Sequence, residues 1–189
     1  MKTEAKKESL VMYVVRLAVT LLIITAVVAA ALAAVNSVTA PIIAALNEAK
    51  TQEAIEVVLP GGGQEIDVPA VDVGVPVGKV YQGENGYAVE VLPSGFDNTI
   101  TMMVGVDFDG KVLGISVVDH SETAGLGAVA AAKTSKGEAF RAQFVGTSGS
   151  VGTSKRGTGT LDAITGATIT SEAVCTGVNA ALALVENLG

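Results

Sequence analysis

With 189 residues, the chain has room for one ordinary domain and little else. A single Cys excludes an internal disulfide framework and any Cys-cluster site for zinc or iron–sulfur, and a single His leaves little scope for a histidine-based metal centre or relay. The net charge of −7 is unevenly spread: four Lys/Arg face two acids up to Asn36, and eight face seventeen after it, so the acidic body is a poor partner for nucleic acid.

The first predicted element is a membrane span. Leu17 to Val35 are nineteen residues interrupted only by Thr20 and Thr25. As a helix they cover roughly 28 Å, close to the ~30 Å hydrocarbon core of a bilayer. Leu10 to Val15 extend the apolar run, and the stem of Arg16 is long enough to snorkel to the interface. A cleaved signal peptide would have an apolar region of only about 7–15 residues, although AALAAVNS could pass for a cleavage site. Lys2, Lys6, Lys7 and Arg16 precede the run, and the next basic residue is Lys50. The positive-inside rule therefore puts residues 1–9 in the cytoplasm as a tail, 10–36 across the membrane once, and the acidic remainder outside.

A connecting helix is expected over 37–60, since Ile42, Ile43, Leu46, Ala54, Ile55 and Val58 fall at helical spacing before LPGGGQ ends it. After a Val/Pro-rich stretch, strands are predicted for Lys79–Gln82, Gly86–Leu92, Thr99–Phe108 and Lys111–His120, all rich in β-branched residues. Asp109-Gly110 reads as the two-residue loop of a type I′ hairpin, with one face of the pair more buried than the other. Short helices are expected around Ala128–Lys133 and Lys136–Phe144, and an exposed Gly/Ser/Thr loop containing Lys155 and Arg156 over 146–159. From Glu172 the apolar residues Val174, Val178, Leu182 and Val185 mark a final helix. Helices at the ends and strands between them make the fold class α+β, with a mainly antiparallel sheet. Cys175 reads as a small core residue and His120 as a solvated or structural histidine.

DAITGATITS, residues 162–171, is the stretch with chemistry in it. Ser171 is placed to cap the final helix, with Glu172 in its first turn. A group carried on Thr168 Oγ would lie near that helix's N-terminus, where unpaired N–H groups favour a phosphate. Gly166 and Ala167 have almost no side chain to obstruct it. The stretch is ill-suited to nucleophilic catalysis, because a catalytic Thr needs a base and the only His is about fifty residues away in sequence. No catalytic residue and no metal site is expected.

D-A-I-T-G-A-T resembles the flavinylation motif of the FMN-binding domain family: Asp, two residues, Ser or Thr, Gly, Ala, then the Thr or Ser that takes the flavin. The resemblance implies covalent FMN joined by a phosphoester to Thr168, placed there by a separate flavin transferase that reads positions matching Asp162 and Gly166. HSETAGLG, residues 120–127, is similar to the H-x-E-T-P-G-L-G loop of two groups in that family, with Ala124 where Pro is common. These are the G subunits of Rnf complexes and the C subunits of sodium-translocating NADH:quinone oxidoreductases; length favours the first. The loop implies flavin contacts at Glu122, Thr123, Gly125, Leu126 and Gly127, with Thr165, Gly166 and Ala167 as further ones. Residues 61–189 would then be an exported FMN-binding domain.

The function implied is electron relay within a ferredoxin:NAD oxidoreductase coupled to Na+ or H+ transport, in a bacterial or archaeal cytoplasmic membrane. Its partners would be the other membrane subunits, the transferase and membrane lipid. The chain has no GxGxxG fingerprint and no cluster ligands, so no complete active site is expected on it alone. The alternatives are a C-type quinone-reductase subunit, or a membrane-anchored scaffold in which the Thr-rich stretch only caps a helix.

Overall fold

The structure, a computed structural model, describes residues 2–69, 71–154 and 159–188. The chain divides into two compact units, one up to Leu46 and one from Asn47 on. Lys155 and Arg156 lie outside the described residues.

Helix α1 is Lys2–Val58, with Pro41 inside it. It covers both the apolar run and the stretch expected as a connecting helix. In the first unit, large apolar side chains such as Leu22, Val27, Leu32 and Val35 are exposed all round. A helix apolar on every side needs lipid or other protein around it. Four of its hydroxyls are met within the helix: Thr20 donates to Arg16 O (2.8 Å), Thr25 to Leu21 O (3.0 Å), Ser37 to Ala34 O (2.8 Å) and Thr39 to Val35 O (2.8 Å).

The second unit is α+β. Strands β1 (Gln64–Ile66), β2 (Val77–Gln82), β3 (Gly86–Val91), β4 (Thr101–Asp107) and β5 (Val112–Asp119) form an antiparallel meander in that order. Four match the expected strands to within a few residues; β1, only three residues long, has no period to reveal it. A 3-10 turn, Gly127–Ala130, replaces the helix expected at 128–133, and helix α2 is Ser135–Ala142. Thr134 caps α2 by accepting from Gly137 N (3.3 Å). The final helix, α3, is Thr168–Leu188.

The hairpin between β4 and β5 differs from the expectation. Among the described residues only glycines have positive φ, so Asp109 cannot take part in a type I′ turn. Asp107 Oδ1 instead accepts from Asp109 N (3.0 Å) and Lys111 N (2.7 Å), while Gly110 N donates to Asp107 O (3.1 Å). The loop is thus three residues, Phe108-Asp109-Gly110, with Gly110 at φ +75°. A carboxylate at the strand end outcompetes the Asp-Gly step.

β4 is buried on both faces, whereas β5 buries Val112 and Ile115 on one and leaves Leu113 and Val118 half-buried on the other. Met102, Val104 and Val106 join Val89, Val91 and the α3 residues Val174, Val178 and Leu182 in one core. Met103 turns the other way, onto Ala54, Ile55, Val58 and Leu59 at the end of α1. A Cβ on Gly105 would lie 2.1 Å from Val58 O, so glycine is what lets this helix end close on the sheet. α3 is long and apolar enough to be mistaken for a membrane span, but it is largely buried as the core helix of this unit.

Candidate functional site

The start of α3 is set by a turn. Gly166 has φ +81°, and Ala167 N donates to Ile164 O (3.0 Å). The first helical bond runs from Ser171 N to Ala167 O (3.0 Å). Ala167 therefore occupies the cap position and Thr168 is the first helical residue, half-buried. The expected Ser171 cap is overturned because the helix begins four residues earlier than that cap implies. Ser171, fully buried, donates from Oγ to Ala167 O (2.9 Å) and accepts from Ile164 N (2.9 Å), which fastens the turn from inside. Glu172 consequently lies beyond the first turn. With Ala at the cap, no side chain of the described residues meets the first-turn N–H groups. Among the described residues those of Thr168, Ile169 and Thr170 have no acceptor.

The turn is held from outside by Gln143, whose Oε1 accepts from Asp162 N (2.8 Å) and whose Nε2 donates to Asp162 O (3.3 Å). The Asp162 side chain is left exposed.

The second wall comes from the loop after β5. Thr123 O accepts from Leu126 N (3.1 Å) and Ala128 N (3.2 Å), and Gly125 takes φ +76° to close the turn. This brings Leu126 against the first wall, where a Cβ on Gly166 would lie 3.0 Å from Leu126 Cδ2. Between the walls is a cleft of about 390 Å³, lined by Glu122, Thr123, Leu126 and Gly127 from one side and residues 166–170 from the other. Phe96 completes it. Thr165 and Gly125 are exposed and fall outside its lining, each next to a residue that belongs to it.

Glu122 is 7% exposed and ties three segments together. Its Oε2 accepts from Thr170 Oγ1 (2.5 Å), and its Oε1 accepts from Phe96 N (2.8 Å) and, more weakly, Asp97 N (3.4 Å). Its own N–H donates to His120 Nδ1 (3.2 Å), giving that histidine a structural partner. Sequence reasoning missed Phe96, Ile169 and the role of Thr170. Thr170 was visible as a third hydroxyl in the motif; Phe96, in an ordinary polar turn, gave no signal. Phe96, Leu126 and Ile169 are all large apolar side chains left substantially exposed at the cleft (65%, 43% and 49%), which marks a surface built to be covered. Cys175, one turn further along α3, is buried, and loss of solvent pushes its thiol up to about 11. It is an inert core residue.

Comparison with known proteins bears directly on this cleft. A family model described as FMN-binding domain matches residues 95–183, which includes both of its walls. The chain is 35% identical to the G subunit of the Na(+)-translocating ferredoxin:NAD(+) oxidoreductase complex of Acetobacterium woodii, over 100% of this chain and 99% of the relative. The chain belongs to the family of Rnf-type G subunits. A second G subunit, from the ion-translocating oxidoreductase complex of Methanosarcina acetivorans, is 32% identical over 92% of this chain and 95% of its own. A third, from the proton-translocating ferredoxin:NAD(+) oxidoreductase complex of Clostridium ljungdahlii, is 40% identical over 51% of each chain. Members of this family thus carry names with different coupling ions, so membership does not select one.

Proposed function

We propose that this chain is the electron-relay subunit of a membrane-bound Rnf-type complex, a ferredoxin:NAD oxidoreductase coupled to Na+ or H+ transport. It carries FMN through a phosphoester on Thr168. One observation supports this above the others: Thr168 combines the last position of the D-x-x-T-G-A-T motif with the first turn of α3 and the lining of the cleft.

The residues present fit such a group. Thr168 supplies a hydroxyl with no bulky neighbour on its N-terminal side. Unpartnered first-turn N–H groups suit a phosphate. Phe96, Leu126 and Ile169 offer exposed apolar surface to a flat aromatic ring. When bound, FMN would supply reversible electron transfer. The chain's own part is to hold and shield. Thr168 fixes the point of attachment on a rigid element, Leu126 and Phe96 exclude water, and the Glu122 clasp keeps the walls in register. α1 anchors the chain, with its N-terminus in the cytoplasm and the domain on the outer face by the positive-inside rule.

The test is to co-express the full chain with a flavin transferase and run it denatured on a gel under ultraviolet light. A fluorescent band is expected, with the tryptic peptide containing Thr168 heavier by FMN less one water. Thr168→Val abolishes the band and Thr165→Val retains it. A wild-type chain without the band refutes the reading; a band that survives in Thr168→Val moves the attachment elsewhere.

A further inference from the structure

We propose that the Glu122 carboxylate is a fixed buried negative charge beside the flavin site that holds the reduction potential of the bound group low. Thr170 and Gly127 serve to keep it there. The inference rests on the flavin reading above and extends it to the tuning of that site.

Burying a carboxylate is costly unless donors surround it. Here both oxygens are met, Oε2 by the Thr170 hydroxyl and Oε1 by the Phe96 and Asp97 amides. None of these donors carries a charge. The two ion pairs among the described residues, Lys79–Glu65 and Lys133–Glu53, lie elsewhere. The negative charge is therefore stabilised without being cancelled.

The surrounding glycines point the same way. A Cβ on Gly95 would lie 2.2 Å from Glu122 Oε1, and one on Gly127 would lie 2.5 Å from Oε2 and 2.6 Å from Thr170 Oγ1. Neither glycine has a positive φ, so backbone conformation does not demand them. Room for the carboxylate and its Thr170 partner demands Gly127, whereas a Cβ on Gly95 would also meet Asn98 O at 2.7 Å and Ile100 Cγ1 at 2.9 Å. Gly127 and the Thr170 hydroxyl, from two separate segments, are thus committed to one acidic side chain.

Glu122 lines the same cleft as Thr168. An added electron there is repelled by a nearby carboxylate, and the repulsion is strong where water is scarce. Charge placed near a bound flavin is a recognised lever on its electronics. The sign follows: removing the charge makes reduction easier.

The experiment uses the full chain in detergent, co-expressed with the transferase, with loading measured for each variant by in-gel fluorescence. Spectroelectrochemical titration then gives the midpoint potential. Glu122→Gln, nearly the same shape without the charge, is expected to move the midpoint to a more positive value. Glu122→Asp, which keeps the charge but is too short to maintain the clasp, is expected to stay near wild type. An unshifted Glu122→Gln overturns the inference, as does an Asp variant that moves as far as the Gln variant, since geometry alone would then account for both. The wild-type chain gives a second reading that needs no variant to fold. Its oxidised-minus-reduced infrared spectrum is expected to contain a perturbed ionised-carboxylate band, and a protonated-carboxyl band in its place overturns the inference. If the wild type carries no flavin, the functional reading fails instead, and the in-gel band distinguishes that outcome from the others.

Discussion

Gly105→Ala tests the packing that buries the second face of the sheet. The new Cβ would lie 2.1 Å from Val58 O, 2.8 Å from Val58 C and 3.0 Å from Val58 Cβ. Two of those three atoms are backbone, at the end of a helix, so no rotamer change can make room. β4 is itself held between β3 and β5 and cannot retreat. Overpacking of this kind costs about 3 kcal/mol, the upper part of the usual range. For a unit of this size that lowers the melting temperature by about 6–12 °C. The control is its cross-strand partner, Gly114. A Cβ there meets nothing nearer than Val58 Cα at 3.5 Å, an ordinary contact. Gly114→Ala should be neutral, or stabilising by up to about 1 kcal/mol through the less flexible unfolded chain. The chain has no Trp, so melting of the full-length protein in detergent is best followed by the near-ultraviolet signal of its three tyrosines, of which Tyr81 and Tyr87 lie in the sheet. Two variants melting within about 2 °C of each other would refute the close approach of α1 to β4.

Gly127→Ala should open the Glu122–Thr170 clasp, lowering both the melting temperature and the yield of covalent flavin in the in-gel assay; unchanged yield would separate the clasp from the site. Phe144, fully buried and packed edge-on against Phe140 (centroids 5.4 Å apart), should cost about 3–5 kcal/mol when replaced by Ala, measured by denaturant titration. Cys175, with its thiol pushed up to about 11, should resist thiol reagents at pH 8, where only about a thousandth is thiolate, and should label only on unfolding. Burial raises both Cys175 and Tyr81, so their contribution to stability is complete below their ordinary values of 9.0 and 10.0 and is lost as pH climbs through the folded values; melts should be flat in this respect at neutral pH and fall above about pH 9.

What could be read from the sequence was what local pattern encodes. The alternation of β-branched residues located four strands, and Val174, Val178, Leu182 and Val185 located the buried stripe of α3. Burial on both faces of β4 was not legible, because it depends on Val58, more than forty residues earlier, and no local period records that contact. The turn at 107–111 was misread because two rules compete there, and the Asp107 side chain decides between them. Ser171 was misread for a similar reason: capping preferences favour it, but its hydroxyl is taken by Ile164 N and Ala167 O. At the site, spacing could not join residues 120–127 to 162–168. Only the motif resemblance did so, and it carried no information about Phe96.

The composition of the cleft gives a reason for a tether. Among the described residues its lining contains no Lys or Arg, and its one ionisable side chain is Glu122, an acid. A free phosphate monoester, close to doubly charged at neutral pH, would find only backbone N–H groups and a small helix-end partial charge to hold it. Those supply roughly 1 kcal/mol or less at an exposed site, and Glu122 works against them. Reversible binding on such terms would be weak, and on the proposed reading the domain is exported, with no means of recapturing a lost cofactor. On the proposed reading, esterification to Thr168 removes one phosphate charge and removes dissociation altogether, so affinity no longer constrains the site. The lining is then free to carry a negative charge that a reversible FMN site could not tolerate. A Lys introduced at exposed Thr123 checks this: it should let the Thr168→Val chain retain added FMN through gel filtration, whereas Thr168→Val alone should lose it. Retention by Thr168→Val alone would show that the cleft binds the phosphate well without a bond, and the argument for the tether would fall.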